Sequence, residues 1–339
     1  MSQFLDFKPF PFLTEPHAQS VVAAIPTFNR CPPSVTRIVP LPDGDKLACE
    51  VSTPSSWRTG MLTVFTIHGL CGSHRSTYQV RLANKLFREG VRVVRINLRG
   101  CGSGRGLARL PYHAGCSDDV LTVLRTFHAD TAEHHFKLVG YSLGGNVALR
   151  LAGELGPEGP QLLDQVISVC PPINLFTSSR LMSEPENWLF RYMFMRWLTA
   201  EVRTREAYFP HLTKAHVHWS MSFREFDEVY TAPRVGYRNA IDYYNSASSE
   251  LLIPRIQIDT KIVFSEDDPI IDCNALDHLR LGEHLRVYKT KKGGHVGFYG
   301  HPKQEVGIHW LDAHLLDWLT AETAIEKKHV TASLLQPSQ

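Results

Sequence analysis

The sequence predicts an α/β fold with a mostly parallel central sheet flanked by helices, and three observations lead to this prediction. Apolar runs typical of buried strands alternate with helix patterns between residues 61 and 170. Two further strand patterns follow near the C-terminal end of the chain, at 261–264 and 284–289. Between them and the first series, residues 173–252 form a helical, aromatic-rich segment. We therefore expect one sheet with a helical cap inserted after its sixth strand.

Composition excludes several function classes. The chain has 339 residues, 43% hydrophobic and 21% charged, and its net charge of +2 gives no reason to expect a nucleic-acid partner. No apolar run is long enough to cross a bilayer, and the first residues lack the features of a signal peptide. The seven cysteines contain no CxxC pair, which favours a reduced cytoplasmic protein. The oligomeric state is not indicated.

The sequence of the first part of the chain predicts an arm that is followed by the first strands of the sheet. Residues 1–35 are rich in proline and phenylalanine, with one short helix pattern near 18–24. Strands are expected at 37–42 and 46–51, joined by an Asp-Gly turn at 43–44, and a continuous apolar strand follows at 61–67. A helix is expected at 77–88, a strand at 91–96 and a second helix at 117–128.

The remaining elements complete the predicted organisation. Expected in order are a strand from 136, a helix from about 146, a strand at 164–170, the cap, the strands at 261–264 and 284–289, and a last helix at 305–319. We divide the chain into an arm at 1–35, a first core part at 36–172, a cap at 173–252, a second core part at 253–326 and a flexible tail at 327–339.

The clearest chemical signal is the Gly-x-Ser-x-Gly pattern at residues 140–144, which lies between a strand pattern and a helix pattern. A serine on such a sharp turn needs neighbours without bulk, and Gly140, Gly144 and Gly145 supply them. The turn would lift the hydroxyl above the sheet edge. We therefore predict that Ser142 is a nucleophile, the alternative being an ordinary serine in a glycine-rich turn.

A serine nucleophile needs a histidine base, and the base needs a carboxylate to orient it. The expected chain order is serine, acid, histidine. His295 lies in a glycine-rich loop after the last strand, and we predict that it is the base. For the acid, the spacing from the preceding strand favours Asp268, with Glu266 and Asp267 as competitors.

Stabilising an oxyanion requires two N–H donors. One is expected from Leu143, directly after the serine, and the other from Leu70, in the loop after the third predicted strand. In that loop we expect His68 to brace the backbone and Cys71 to fill space.

Several motifs together resemble the YheT-like branch of the α/β-hydrolase superfamily. They are Gly-Tyr-Ser-Leu-Gly-Gly-Asn at 140–146, His-Gly-Leu-Cys-Gly-Ser at 68–73, Arg-Gly-Cys at 99–101, Tyr-His-Ala-Gly at 112–115, Gly-Gly-His-Val-Gly-Phe at 293–298, His-x-Gln at 17–19, Glu-Phe-Asp at 225–227 with Thr-Ala at 231–232, and Asp-Tyr-Tyr at 242–244. The resemblance covers nearly the whole chain. It implies an α/β-hydrolase fold, a Ser142–Asp268–His295 triad and carboxylic-ester hydrolysis, with acyl chains as the expected substrates.

Other polar and aromatic clusters carry weaker expectations. We give His113 no catalytic role, because His295 already supplies the base, and the resemblance leaves the function of Tyr112 and Arg99 undefined. The histidines at 211, 216 and 218 are expected to lie on a solvated loop, since no further metal ligand is near them. We expect neither a metal nor a cofactor. Some of the cap aromatics Trp188, Phe190, Tyr192, Phe194 and Trp197 are expected to line an acyl pocket.

The sequence thus predicts a serine esterase that cleaves small-molecule esters of short-to-medium acyl chains through an acyl-enzyme. An acyltransferase that passes the acyl group to an alcohol would use the same residues. A non-catalytic lipid-binding protein on the same fold is a third possibility, which an intact triad disfavours.

Overall fold

A computed structural model of the chain describes residues 2–25, 30–130, 134–303 and 307–321. Within these ranges the strands form one nine-stranded sheet. They are β1 (Gln3–Phe4), β2 (Val35–Pro40), β3 (Lys46–Ser52), β4 (Leu62–Ile67), β5 (Arg92–Asn97), β6 (His135–Tyr141), β7 (Gln165–Val169), β8 (Asp259–Ser265) and β9 (Leu285–Thr290).

The strand order across the sheet is β1-β9-β8-β7-β6-β4-β5-β3-β2. All neighbours are parallel except for β2 with β3 and β3 with β5, so the antiparallel part lies at one edge. The middle strands β4, β6 and β7 are almost entirely buried, as their continuous apolar sequences require of strands covered on both faces. The predicted fold, a mostly parallel sheet flanked by helices, is confirmed.

Ten helices accompany the sheet in the described part of the chain. They are α1 (Pro16–Ala24), α2 (Thr77–Arg88), α3 (Ser117–His128), α4 (Leu143–Leu155), α5 (Leu175–Leu181), α6 (Trp188–Tyr208), α7 (Phe223–Phe226), α8 (Ala232–Arg234), α9 (Ala240–Ala247) and α10 (Trp310–Thr320). Helices α1 and α10 both pack on α2, while α3 packs on α4. Right-handed crossovers place these two groups on opposite faces of the sheet.

Helices α5 to α9 lie between β7 and β8, in the segment predicted to interrupt the alternation. We call residues 173–252 the cap. A second, smaller hydrophobic core holds the cap together and is built from Met195, Leu198, Val202, Phe226 and Tyr230. The exact boundaries of the cap and of the other predicted chain divisions stay predictions.

Besides shifts of one or two residues at the ends of several elements, the structure differs from the predicted elements in three places. Two residues of the arm, Gln3 and Phe4, form an edge strand beside β9 that was not predicted, because a two-residue strand leaves no sequence pattern. Helix α4 begins at Leu143 rather than near residue 146, since the three residues after the serine already form its first turn. Helix α10 begins at Trp310, because His309 is held in a bridge to Tyr299. The predicted start of that helix at residue 305 and the predicted tail at 327–339 lie outside the described residues.

Candidate active site

Ser142 occupies the sharp turn between β6 and α4. Its φ and ψ are 51° and −121°, an unusual conformation for a residue other than glycine. The glycines around it are required by space: a Cβ on Gly140 would lie 2.2 Å from the carbonyl oxygen of Gly144, and one on Gly144 would lie 2.5 Å from that of His68. The turn holds the serine hydroxyl at the carboxyl-terminal edge of the sheet.

His295 lies beside this serine, on a loop that follows β9. Its Nε2 is 2.8 Å from Ser142 Oγ, and its Nδ1 is 2.8 Å from Asp268 Oδ2. With Nδ1 facing a carboxylate, that nitrogen carries the proton, and Nε2 accepts the hydrogen bond from the serine. The structure therefore brings Ser142, His295 and Asp268 into one continuous line of hydrogen bonds.

The three carboxylates considered for the acid have different surroundings. Asp268 is buried, and its second oxygen accepts the N–H groups of Ile270 and Ile271 at 3.0 and 3.1 Å. The neighbouring Asp267 points elsewhere, and Glu266 is exposed. Asp267 Oδ1 accepts the hydroxyl of Ser265 at 2.5 Å and the N–H of Gly294 at 2.9 Å. Of the three, only Asp268 contacts His295 in the structure.

The arm also contacts the loop of residues 293–298 that carries His295, which we call the histidine loop. The sequence did not predict this contact. Ser20 Oγ accepts the backbone N–H of His295 at 2.7 Å and donates to the carbonyl of Pro16, also at 2.7 Å. Gln19 accepts the N–H of Tyr299 at 2.8 Å and donates to its carbonyl at 3.0 Å. Only the His-x-Gln match within the family resemblance pointed to this region, and it gave no contact.

Gly294 explains how the arm can approach so closely. A Cβ at this position would lie 2.3 Å from the carbonyl oxygen of Pro16, and the φ of Gly294 is +58°. The next residues Val296 and Phe298 also have positive φ, of 59° and 47°. Such a conformation persists only where surrounding contacts impose it, and α1 supplies some of them.

The loop after β4 presents one backbone N–H to the serine side of the site. The N–H of Gly69 donates to Tyr78 Oη at 2.9 Å, and that of Cys71 donates to Tyr112 Oη at 2.8 Å. Between them, the N–H of Leu70 has no acceptor in the part of the chain that the structure describes. The N–H of Leu143, in the first turn of α4, likewise has none there. These are the two donors that the sequence predicted for an oxyanion.

His68 braces this loop from inside. It is fully buried, accepts the N–H of Leu98 on Nε2 at 3.1 Å and donates from Nδ1 to the carbonyl of Gly69 at 2.7 Å. Burial lowers the pKa of His68 to about 4, so the ring stays neutral. The predicted bracing role is consistent with these contacts.

Two further motif residues now have structural partners. Arg99 is buried and pairs with Asp119 at 2.6 Å, and also with Asp43 at 2.6 Å and Asp45 at 2.8 Å, which ties the loop after β5 to the β2–β3 turn. His113 Nδ1 accepts the N–H of Gly115 at 3.1 Å, and burial lowers the pKa of this histidine to about 4. Neither residue forms a hydrogen bond with Ser142 or His295.

Two chambers meet at Ser142. The larger has a volume of about 500 Å³ and is open to solvent; its walls are the loops after β4 and β5, α1 and one side of α6. The smaller has a volume of about 130 Å³ and lies under the cap. Apolar side chains dominate the smaller chamber, including Leu175, Met182, Leu198, Phe223, Phe226 and Ile270.

The five predicted cap aromatics divide between these chambers and the surface. Phe190, Phe194 and Trp197 line the larger chamber, and Phe194 also borders the smaller one. Trp188 and Tyr192 line neither chamber, and Trp188 is 58% exposed. The histidines at 211, 216 and 218 are all exposed, as expected of a solvated loop.

Glu201, also on α6, lies between the two chambers and was not singled out from the sequence. Its Oε2 accepts the hydroxyl of Tyr112 at 3.1 Å, and burial raises the pKa of the carboxyl to about 7. One glutamate in a helix of many charged residues gave no sequence signal.

No described helix has the length and apolar character that would be needed to span a lipid bilayer.

Comparisons with known proteins agree with the fold. The alpha/beta hydrolase fold family matches residues 63–302. The putative esterase YheT of Escherichia coli (strain K12) is 31% identical over 298 residues, covering 85% of this chain and 84% of YheT. Phospholipase ABHD3 of Bos taurus is 29% identical over 240 residues, covering 70% of this chain but 58% of its own length.

Among solved structures, an esterase from Pyrococcus furiosus superposes with a TM-score of 0.53 at 15% identity. The match covers 85% of this chain and 89% of that esterase. At this level of identity the likeness extends to the fold alone.

Proposed function

The chain belongs to the α/β-hydrolase fold family, on the branch that includes YheT, and is an enzyme of the carboxylic ester hydrolase class; from this premise we propose that Ser142, His295 and Asp268 are its catalytic triad. We further propose that it cleaves esters of short-to-medium acyl chains through an acyl-enzyme. The observation that carries the proposal is the line of 2.8 Å hydrogen bonds from Ser142 through His295 to Asp268.

The proposed reaction has two halves. Ser142 Oγ attacks the ester carbonyl while His295 Nε2 takes the hydroxyl proton, and Asp268 stabilises the resulting imidazolium. The N–H groups of Leu70 and Leu143 donate to the oxyanion of the tetrahedral intermediate. Its collapse expels the alcohol, which receives the proton from His295. Water, deprotonated by the same histidine, then attacks the acyl-enzyme, and the carboxylic acid leaves as His295 returns the proton to Ser142 Oγ.

We assign the acyl chain to the smaller chamber. Its walls are mostly aliphatic and aromatic, so a hydrocarbon chain placed there loses contact with water without leaving buried polar groups unpaired. The larger chamber also borders Ser142 but is wider, and Arg75, Arg99 and Arg105 line it alone, whereas Glu201 and Arg205 line both chambers. It suits the leaving alcohol and the incoming water.

The same two chambers support acyl transfer as a second candidate. An alcohol held in the larger chamber could take the place of water in the second half of the reaction. Hydrolysis and transfer would then differ only in which nucleophile reaches the acyl-enzyme, and the ratio of acid to new ester formed in the presence of added alcohol distinguishes them.

The nucleophile assignment is tested by Ser142→Ala. We expect this variant to lose both labelling by a fluorophosphonate probe and turnover of p-nitrophenyl esters while keeping its melting temperature, because only one oxygen atom is removed. Ser246→Ala, at an exposed serine near the end of α9, is the matched control and should keep both. Undiminished turnover by Ser142→Ala would place the nucleophile elsewhere.

The acyl assignment predicts a chain-length preference. Each methylene buried in the smaller chamber should add about 0.8 kcal/mol, or about fourfold in kcat/KM, until the chamber is full. We therefore expect kcat/KM for p-nitrophenyl esters to rise from acetate toward medium chains and then fall. Phe223→Ala should flatten this rise, whereas Trp188→Ala, outside both chambers, should not. A flat profile for the unmodified enzyme would show that the chamber does not receive an acyl chain.

A further inference from the structure

A line of hydrogen bonds runs from the cap to the loop after β4. It begins at Glu201, on the side of α6 that faces the chambers, and continues through the hydroxyl of Tyr112 to the backbone of Cys71. The distances are 3.1 Å from Tyr112 Oη to Glu201 Oε2 and 2.8 Å from Cys71 N to Tyr112 Oη. The three groups come from separate parts of the chain that meet beside Ser142.

The chemistry of the groups fixes the direction of both bonds. A backbone N–H can only donate, so the tyrosine oxygen accepts from Cys71. The single hydroxyl proton of Tyr112 is then left for Glu201, whose carboxylate oxygen accepts it. Glu201 has no other hydrogen bond and no ion pair within the described parts of the chain. The hydroxyl of Tyr112 is thus oriented by the cap.

This hydrogen bond acts on a strained backbone. Cys71 has a φ of 56°, which a residue other than glycine adopts only when its surroundings impose it. Tyr112 holds the peptide N–H on the C-terminal side of Leu70, and Tyr78 holds the one at Gly69 on its N-terminal side. With both neighbouring peptide groups fixed, the peptide between them has one orientation, and its N–H stays free.

We propose that Tyr112 and Glu201 are positioning residues that aim the Leu70 N–H at the oxyanion, so that the cap completes the oxyanion hole. This inference rests on the proposed function, because it needs Leu70 to be an oxyanion donor. It assigns α6 two tasks: its apolar residues line the chambers, and its one glutamate facing them supports the catalytic backbone. Glu201 acts through Tyr112 and needs no contact with the substrate.

The test compares Tyr112→Phe, Glu201→Leu, Glu201→Gln and the double variant Tyr112→Phe/Glu201→Leu. Complete loss of one oxyanion donor costs on the order of 10²–10³ in kcat, and a misdirected donor costs less, so we expect a fall of about tenfold for Tyr112→Phe and Glu201→Leu with KM little changed. Glu201→Gln keeps an oxygen that can accept the tyrosine proton and should stay within about threefold of wild type. Because the two residues act in series, the double variant should lose no more than Tyr112→Phe alone.

A second readout separates positioning from general damage. A trifluoromethyl ketone forms a tetrahedral adduct with the serine and uses the oxyanion hole, so its inhibition constant should rise in parallel with the loss of kcat. The product fatty acid, which forms no such adduct, should bind the variants as it binds wild type. Glu206→Leu is the matched control, because this glutamate lies on the same helix but accepts the N–H of Ala215, away from the site.

Each other outcome overturns the inference. Normal kcat in Tyr112→Phe would show that the bond to Cys71 is dispensable. A rise in KM with unchanged kcat in Glu201→Leu would make Glu201 a substrate contact. Equal losses in Glu201→Gln and Glu201→Leu would show that the acceptor oxygen is not what matters. If Ser142→Ala is inactive while Tyr112→Phe is normal, this inference fails and the proposed function stands; activity in Ser142→Ala removes both.

Discussion

At the scale of single residues, the site separates two adjacent aspartates by what surrounds them. Asp268 accepts two backbone N–H groups on one oxygen and faces the histidine ring with the other. Asp267 accepts the hydroxyl of Ser265 and the N–H of Gly294, and so fastens the start of the histidine loop to the end of β8. Asp268 thus forms a hydrogen bond with the ring of His295, whereas Asp267 forms one with the backbone of the loop that carries this ring.

This division predicts unequal effects of two conservative substitutions. Asp268→Asn should lower kcat on p-nitrophenyl butyrate by on the order of 10⁴, because the amide no longer stabilises the correct tautomer or the imidazolium. Asp267→Asn should cost far less, since the asparagine keeps an oxygen that can accept both of the existing hydrogen bonds. The reverse ranking would move the triad acid to Asp267.

At the scale of elements, the arm belongs to the site rather than to the periphery. Helix α1 places Ser20 against the backbone of His295 and Gln19 against Tyr299, and the same helix forms one wall of the larger chamber. Gly294 and Gly297 have no room for a side chain because α1 lies against them. Helix α1 thus helps to set the position of His295, the proposed base.

The contribution of the arm can be measured with Ser20→Ala. Loss of one buried hydrogen bond should lower kcat by about threefold to tenfold, in line with a net value of about 1 kcal/mol for such a bond. Ser20→Thr keeps a hydroxyl and should recover much of the loss. Unchanged kcat in Ser20→Ala would mean that α1 only fills space beside the histidine loop.

At the scale of the whole molecule, the sequence could predict those features whose signal lies in residues next to one another in the chain. The strand–serine–helix turn and the glycine-rich histidine loop each consist of consecutive residues, so Ser142 and His295 could be named as candidates without a structure. The choice of Asp268 over Asp267 depends on which way two adjacent side chains point, and spacing alone could only favour one of them.

Contacts between distant segments left no such signal. The bond from Ser20 to His295 joins residues 275 positions apart, and that from Tyr112 to Glu201 joins residues 89 apart. The His-x-Gln match at 17–19 pointed to the region of Ser20 without indicating a contact, and nothing next to Glu201 marks it as different from other glutamates. The main elements could therefore be predicted and Ser142 and His295 could be proposed as reacting groups, while the residues that hold them in place depend on the packing of the cap and the arm.

The pairing of β1 with β9 also has a consequence for the order of events on the ribosome. Phe7 packs on Phe298 and Trp310, and Gln3 pairs with Tyr288, so the arm finds its partners in segments that are translated much later. At translation rates of 5–20 residues per second, the arm waits roughly 15 to 60 seconds for them. During that interval Ser142 has been translated but His295, the proposed base, has not, so the nascent chain cannot hydrolyse an ester by the proposed mechanism until His295 has been added.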